Sequence, residues 1–241
     1  MFKGIGYFFA GLNLIFRPGL RKFVIAPILI NTLLFIGGLF WLVSVIDGWM
    51  ASIFSWVPDW LSFLQYILWP FIFILLLLGV FYTFGLVANL IAAPFNGYLS
   101  EQVEVLLKGR STAASFSWRH FFWLVPRSVG RELQKLAYYL PRALVLFLLS
   151  FVPGLGVITV PLWFLFSAWM FTIQYYDYPM DNHDYRFDEV RQQTARQPIT
   201  SMSFGIVGSF ALMIPIVNFL VMPAAVAGAT LFWLEDYRGT E

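Results

Sequence analysis

The chain has no cysteine, only two histidines, and few charged residues: 12% of its 241 positions. Without cysteine, disulfides, thiolate metal sites and cysteine nucleophiles are excluded. A charged fraction near half the ~25% of a soluble domain leaves too little polar surface to face water. The net charge of only +2 argues against a nucleic-acid binder. A secretory leader is not expected either. Residues 4–16 are apolar but too short to span, only Lys3 offers a preceding charge, and no small-residue cleavage pattern follows. An interfacial helix fits that segment better.

What is abundant is apolar surface. Hydrophobic residues make up 60% of the chain, with 27 Phe, 10 Trp and 11 Tyr. A domain of this size cannot hide such a surplus in one core, so lipid is the expected solvent. Trp and Tyr suit the headgroup level, where ring and polar tip are both satisfied.

Charge-free stretches locate the membrane segments: Phe23–Ile46 (24 residues), Trp60–Ser100 (41), Ala143–Tyr176 (34) and Gln197–Leu234 (38). One crossing takes ~20 apolar residues. Spanning helices are therefore expected over 23–46 and 61–93, the second running on toward Pro94-Phe95-Asn96-Gly97. The last two stretches carry breakers, Val152-Pro153-Gly154-Leu155-Gly156 and Ile214-Pro215-Ile216-Val217-Asn218. Proline removes a helix donor and glycine turns readily, so 143–176 and 197–234 should fold back as re-entrant hairpins. The fold class expected is an all-α integral membrane protein, one membrane domain over 1–241. Two long spans, two proline-broken hairpins and interfacial amphipathic helices compose it.

The two hairpins share an offset of 62 residues, seen at Pro153/Pro215, Pro161/Pro223 and Tyr175/Tyr237. Chance in proline-containing apolar sequence would produce this, and so would a duplicated element. If both hairpins return to the side they left, all fifteen Lys and Arg lie on one face, and the 47–59 loop holds only Asp47 and Asp59. Both termini should then be cytoplasmic.

Residues 101–142 form the main polar region, cytoplasmic or interfacial. Arg127, Arg131 and Lys135 repeat at four and make a basic stripe, opposite Val129, Leu133, Leu136 and Leu140. Such a helix could lie on anionic lipid, or its stripe could form a vestibule that concentrates anions. Arg17-Pro18-Gly19-Leu20-Arg21-Lys22 precedes the first span. Pro-Gly ends one helix and a second begins near Leu20, presenting free N–H groups at Gly19 and Leu20 where an oxyanion could sit. Ordinary flanking charge accounts for the same residues. His183 and Asp188 have the form of an acyltransferase-like pair, though no surrounding globular domain would bind an acyl donor. Asp181, His183 and Asp184 lack a glycine-centred calcium loop. No metal or cofactor is expected. No ionisable side chain lies inside a charge-free stretch, so no intramembrane proton relay is visible.

Several segments together resemble the CysZ sulfate permeases of bacterial inner membranes. They are Pro18-Gly19-Leu20-Arg21, Asp177-Tyr178-Pro179-Met180-Asp181-Asn182-His183, Pro94-Phe95-Asn96, and the long run from Met213 to Thr230. The resemblance implies sulfate uptake, described as proton-linked, that feeds cysteine biosynthesis. It also implies two spans, two partially inserted hairpins and a homo-oligomer. A sulfate-binding Gly-Leu-Arg turn with a following basic residue falls on Gly19, Leu20, Arg21 and Lys22. Lys22 lacks a guanidinium's fork, so that position brings a point charge in place of a two-point contact. The competing expectations are a membrane enzyme of lipid metabolism using His183 and Asp188, and a non-transporting scaffold.

Overall fold

The computed structural model describes residues 3–56, 58, 63–108 and 118–237. All regular structure among them is helical. The expected start of the second span near Leu61, and 109–117 of the polar region, lie outside the described residues.

Helix α1 covers Lys3–Leu14, α2 Arg21–Phe54 and α3 Leu64–Leu107. α4 covers Trp118–Ser150, α5 Gly156–Asn182, α6 Phe187–Arg196, α7 Pro198–Leu212 and α8 Pro215–Phe232. A π-helical turn, Trp233–Tyr237, closes the described chain. Proline opens α7 and α8, where its missing N–H costs nothing. The Arg186 N–H donates to Glu189 Oε2 at 2.6 Å, which caps the start of α6.

Both expected breaks are present. α4 ends at Ser150 and α5 starts at Gly156, across a turn in which Gly154 takes φ +85°. α7 ends at Leu212, and an extended Ile214 leads into Pro215. The ends of α4 and α7 keep the offset of 62 (212 − 150), whereas the starts of α5 and α8 differ by 59 (215 − 156). α4 runs unbroken through Pro126 and Pro141, so the basic stripe and the first arm of the 143–176 hairpin are one helix.

Three helical segments are long and apolar enough to cross a bilayer: Arg21–Ile46, Gly156–Asn182 and Val217–Glu235. Leu68–Phe81 and Pro198–Leu212 are shorter apolar helices. At 34 residues, α2 extends roughly 50 Å, more than the hydrocarbon core requires.

Two compact units divide the chain, with the division falling inside α2 and α3. In Ala26–Ala92, Phe35 and Phe84 join the two helices with ring centroids 4.9 Å apart. Leu33, Phe40, Val43, Phe71 and Phe81 stay exposed, Phe40 by 73%, as side chains facing lipid would. The other unit, Met1–Ile25 with Ala93–Glu241, has an aromatic core. Tyr176 of α5 stacks on Phe232 of α8 at 4.6 Å and tilts on Phe204 of α7 at 5.1 Å. Tyr7 and Phe8 of α1 complete it from the other side. α1 does not lie alone on a surface: Gly4, Tyr7, Phe8, Gly11 and Leu14 are buried, with Gly4 against α7 and Gly11 against α8.

Candidate functional site

The turn between α1 and α2 brings Arg17 to Lys22 together around a glycine. Gly19 has φ +97°, a conformation side chains other than hydrogen disfavour. The backbone closes through Arg17 N–H to Leu14 O at 2.9 Å, Leu20 N–H to Arg17 O at 3.2 Å and Phe23 N–H to Leu20 O at 3.0 Å. Leu20's amide is therefore engaged within the turn. The amides of Gly19, Arg21 and Lys22 have no backbone acceptor among the described residues. A left-handed glycine before a helix start makes a concavity of amides suited to an anion.

Side chains fix the turn from below. Leu20 is 3% exposed, and Ile15, Phe23 and Val24 are buried with it. Phe23 packs on Tyr98 with centroids 5.1 Å apart, and Lys22 Nζ sits 4.9 Å over the Phe23 ring. Arg21 Nε donates to Phe16 O at 2.7 Å, which holds the guanidinium over the turn and leaves both Nη groups. Arg17, Arg21 and Lys22 are exposed, and among the described residues no carboxylate pairs with them.

The basic stripe of α4 has a different environment. Arg131 Nη2 lies 2.7 Å from Asp177 Oδ1, and Arg131 Nε 3.1 Å from Asp181 Oδ1. Arg127 pairs with Asp181 at 3.1 Å and Asp184 at 2.7 Å. Burial would weaken the Arg127 charge, but Asp181 and Asp184 raise its pKa above the ordinary value. Lys135, 3% exposed, meets Glu132 at 2.7 Å and Asp177 at 3.1 Å. An anion reaching this stripe must displace those carboxylates. As a vestibule it is offset from within. Helical spacing marks the cations without marking their partners, although Asp177 and Asp181 repeat at four like the stripe itself.

Asn96 and Gly97 of the Pro94-Phe95-Asn96-Gly97 segment meet the same end of α5. Asn96 Nδ2 donates to Tyr178 Oη at 3.2 Å, and Asn182 Nδ2 donates to Gly97 O at 2.9 Å. His183 and Asp188 take separate partners. His183 Nε2 is 2.8 Å from Glu104 Oε2, with its ring stacked on Trp233, whereas Asp188 pairs with Arg186 at 3.3 Å. Burial alone would push the Glu104 carboxyl up, yet Lys108 and His183 together hold it below the usual range. Asp181, His183 and Asp184 do not converge on a cation site, and the described residues contain no metal-ligating cluster.

Long apolar helices, proline-broken hairpins and a cationic turn at a helix start define a polytopic helical membrane protein. The family model described as sulfate transporter CysZ/etoposide-induced protein 2.4 matches residues 7–223. The chain is 50% identical over 234 residues to the sulfate transporter CysZ of Pseudomonas aeruginosa, covering 97% of this chain and 95% of that one. It is 47% identical over 239 residues to that of Pseudomonas fluorescens, covering 99% and 95%. With that of Pectobacterium atrosepticum the figures are 48% over 237 residues, covering 98% and 86%. The chain belongs to the sulfate transporter CysZ/etoposide-induced protein 2.4 family.

Proposed function

We propose that this protein moves sulfate across the bacterial inner membrane, as a channel or carrier, with Gly19, Leu20, Arg21 and Lys22 forming the site that receives it. The observation that carries the reading is near-end-to-end similarity to sulfate transporters, at 50% identity over 97% of the chain. The turn's geometry supports it. Sulfate is a strongly hydrated dianion, so a site must replace water with several donors at once. The Gly19, Arg21 and Lys22 amides are available, Arg21 offers its two Nη groups, and Lys22 adds a point charge. Leu20 serves as the buried anchor that keeps the turn in place. Proton linkage, and supply of sulfur for cysteine biosynthesis, belong to the same reading.

Charged hydrogen bonds contribute ~1.5–3 kcal/mol each. Arg21→Ala should therefore weaken sulfate binding roughly ten- to a hundredfold. Arg21→Lys should recover only part, because the charge returns without the fork. Calorimetric titration of sulfate into purified wild type and both variants measures this. If the arginine serves topology alone, Arg21→Ala will bind sulfate as wild type does, and the site assignment fails.

In the same proposal, both hairpins return to the side they left and both termini are cytoplasmic, in a homo-oligomer. The proline breaks at 151–155 and 213–214 support this, and the return of both hairpins would put every Lys and Arg on one face, as the positive-inside rule asks. The cysteine-free chain allows single reporters. Cysteine at Asn182 and Thr240 should label from the cytoplasm, and at Ser52 from outside. Labelling of Asn182 and Thr240 from opposite faces would refute the hairpin topology.

A further inference from the structure

A cleft of about 790 Å³ opens between α4, the loop after α5, and α6. Four arginines line it (Arg131, Arg142, Arg186 and Arg191) against two acids, Asp184 and Asp188. Both acids have partners: Asp184 with Arg127 at 2.7 Å, and Asp188 with Arg186 at 3.3 Å. Arg131 is taken by Asp177 and Asp181. Arg142 and Arg191 remain, and among the described residues no carboxylate pairs with either.

These two guanidiniums nevertheless approach one ring. The centre of the Arg142 guanidinium is 3.7 Å from the Tyr138 centroid, and that of Arg191 is 5.0 Å from it. Arg191 also lies 5.9 Å from the Phe187 ring, and its Nε is buried without a hydrogen-bond acceptor. Aromatic faces attract each cation, but they do not cancel the repulsion between two. A donor left without an acceptor in a buried position points the same way. Two cations and an unpaired donor in one cleft suit an anion with several acceptor oxygens.

Its level in the chain narrows the chemistry. Arg142 is the last charge before the charge-free stretch 143–176, and the α4 side chains just beyond it are apolar and exposed: Leu144, Val145, Phe147 and Leu148. The cleft therefore adjoins the surface that acyl chains would cover, with a tyrosine at the boundary. Planar guanidiniums match phosphate oxygens two at a time. We propose that Arg142 and Arg191, framed by Tyr138 and Phe187, bind the phosphate of an anionic phospholipid headgroup. This site is separate from the sulfate turn.

The test is thermal unfolding of the purified full-length protein in neutral detergent, titrated with phosphatidylglycerol or phosphatidylcholine, and in parallel arms with inorganic phosphate and sulfate. Phosphatidylglycerol should raise the melting temperature saturably, and phosphatidylcholine should not. Arg142→Gln with Arg191→Gln should weaken the phosphatidylglycerol response at least tenfold. Arg142→Lys with Arg191→Lys, which keeps the charge for a variant that folds poorly, should fall between. Arg21→Ala should keep the lipid response, and the double glutamine variant should keep wild-type sulfate affinity, so either site can fail alone. Equal responses to the two lipids, or an undiminished response in the double glutamine variant, overturns the site. A response to inorganic phosphate that equals the lipid's and is lost in the double variant keeps the phosphate site but overturns the lipid source. A response to sulfate alone, lost in the same variant, overturns the proposal in favour of a substrate vestibule.

Discussion

Asp177→Asn should be among the most destabilising single substitutions in the protein. Asp177 is 1% exposed and faces Arg131 Nη2 at 2.7 Å and Lys135 Nζ at 3.1 Å. Burial on its own would drive Lys135 toward the neutral form. Asp177, Tyr178 and Glu132 outweigh it and hold the ammonium well above its ordinary pKa. Removing the aspartate charge leaves that ammonium buried beside Glu132 alone, while Arg131 keeps Asp181. Breaking a buried pair from one side costs ~3–5 kcal/mol, because the remaining charge has lost both water and its partner. For a chain of this length that corresponds to a melting temperature lower by roughly 6–20 °C. Exchanging both partners, Lys135→Met with Asp177→Leu, should recover part of the loss, since the buried ammonium goes with its carboxylate, Arg131 keeps Asp181, and Glu132 keeps the neutral donors Gln174 and Tyr178. Thermal unfolding of the three proteins in one detergent decides it. A single variant as stable as wild type would mean that water reaches the cluster.

That ion cluster also shows where sequence reasoning stops. The helix breaks were legible because proline and glycine act locally, and the turns at 151–155 and 213–214 fall where those residues stand. The basic stripe was legible because a period of four marks one face of a helix. Its partner was not, because periodicity assigns a face without saying what covers it. The signal was nonetheless present. Arg131 and Asp177 lie 23 residues before and after Gly154, and Arg127 and Asp181 lie 27 before and after (154 − 127; 181 − 154). An antiparallel hairpin turning at Gly154 must bring such positions together, and both pairs are formed.

At the Arg17–Lys22 turn, the sequence indicated the glycine, the helix start and the cations. It did not indicate that the Leu20 amide closes the turn on Arg17, nor that Phe16 O holds Arg21 Nε. Backbone acceptors carry no residue-specific mark, so these contacts are invisible before the chain is folded. The same limit applied to His183, whose partner Glu104 is 79 residues away, whereas the sequence pairing with Asp188 relied on proximity along the chain.

Gly11→Ala should disable the protein although alanine is the better helix former. In α1, a Cβ at Gly11 would stand 2.2 Å from Ala224 O and 2.4 Å from Gly228 N, both backbone atoms of α8. No rotamer change relieves contact with backbone, so α1 or α8 must move. Overpacking of this kind costs ~1–3 kcal/mol or more, against a helix-propensity gain of about 1 kcal/mol. The displacement also reaches the site. Leu14 and Ile15 follow within one turn of Gly11, and the Arg17–Lys22 turn is built directly on them. We therefore expect lower thermal stability together with sulfate affinity reduced at least tenfold. Gly6→Ala supplies the control, because it lies in the same helix and its Cβ would meet nothing within 4 Å. There the propensity gain stands unopposed, and the variant should be as stable as wild type or slightly more so, with unchanged sulfate affinity. Equal behaviour of the two variants in unfolding and sulfate titration would show that the α1–α8 approach is looser than these distances require, and that the Arg17–Lys22 turn does not depend on it.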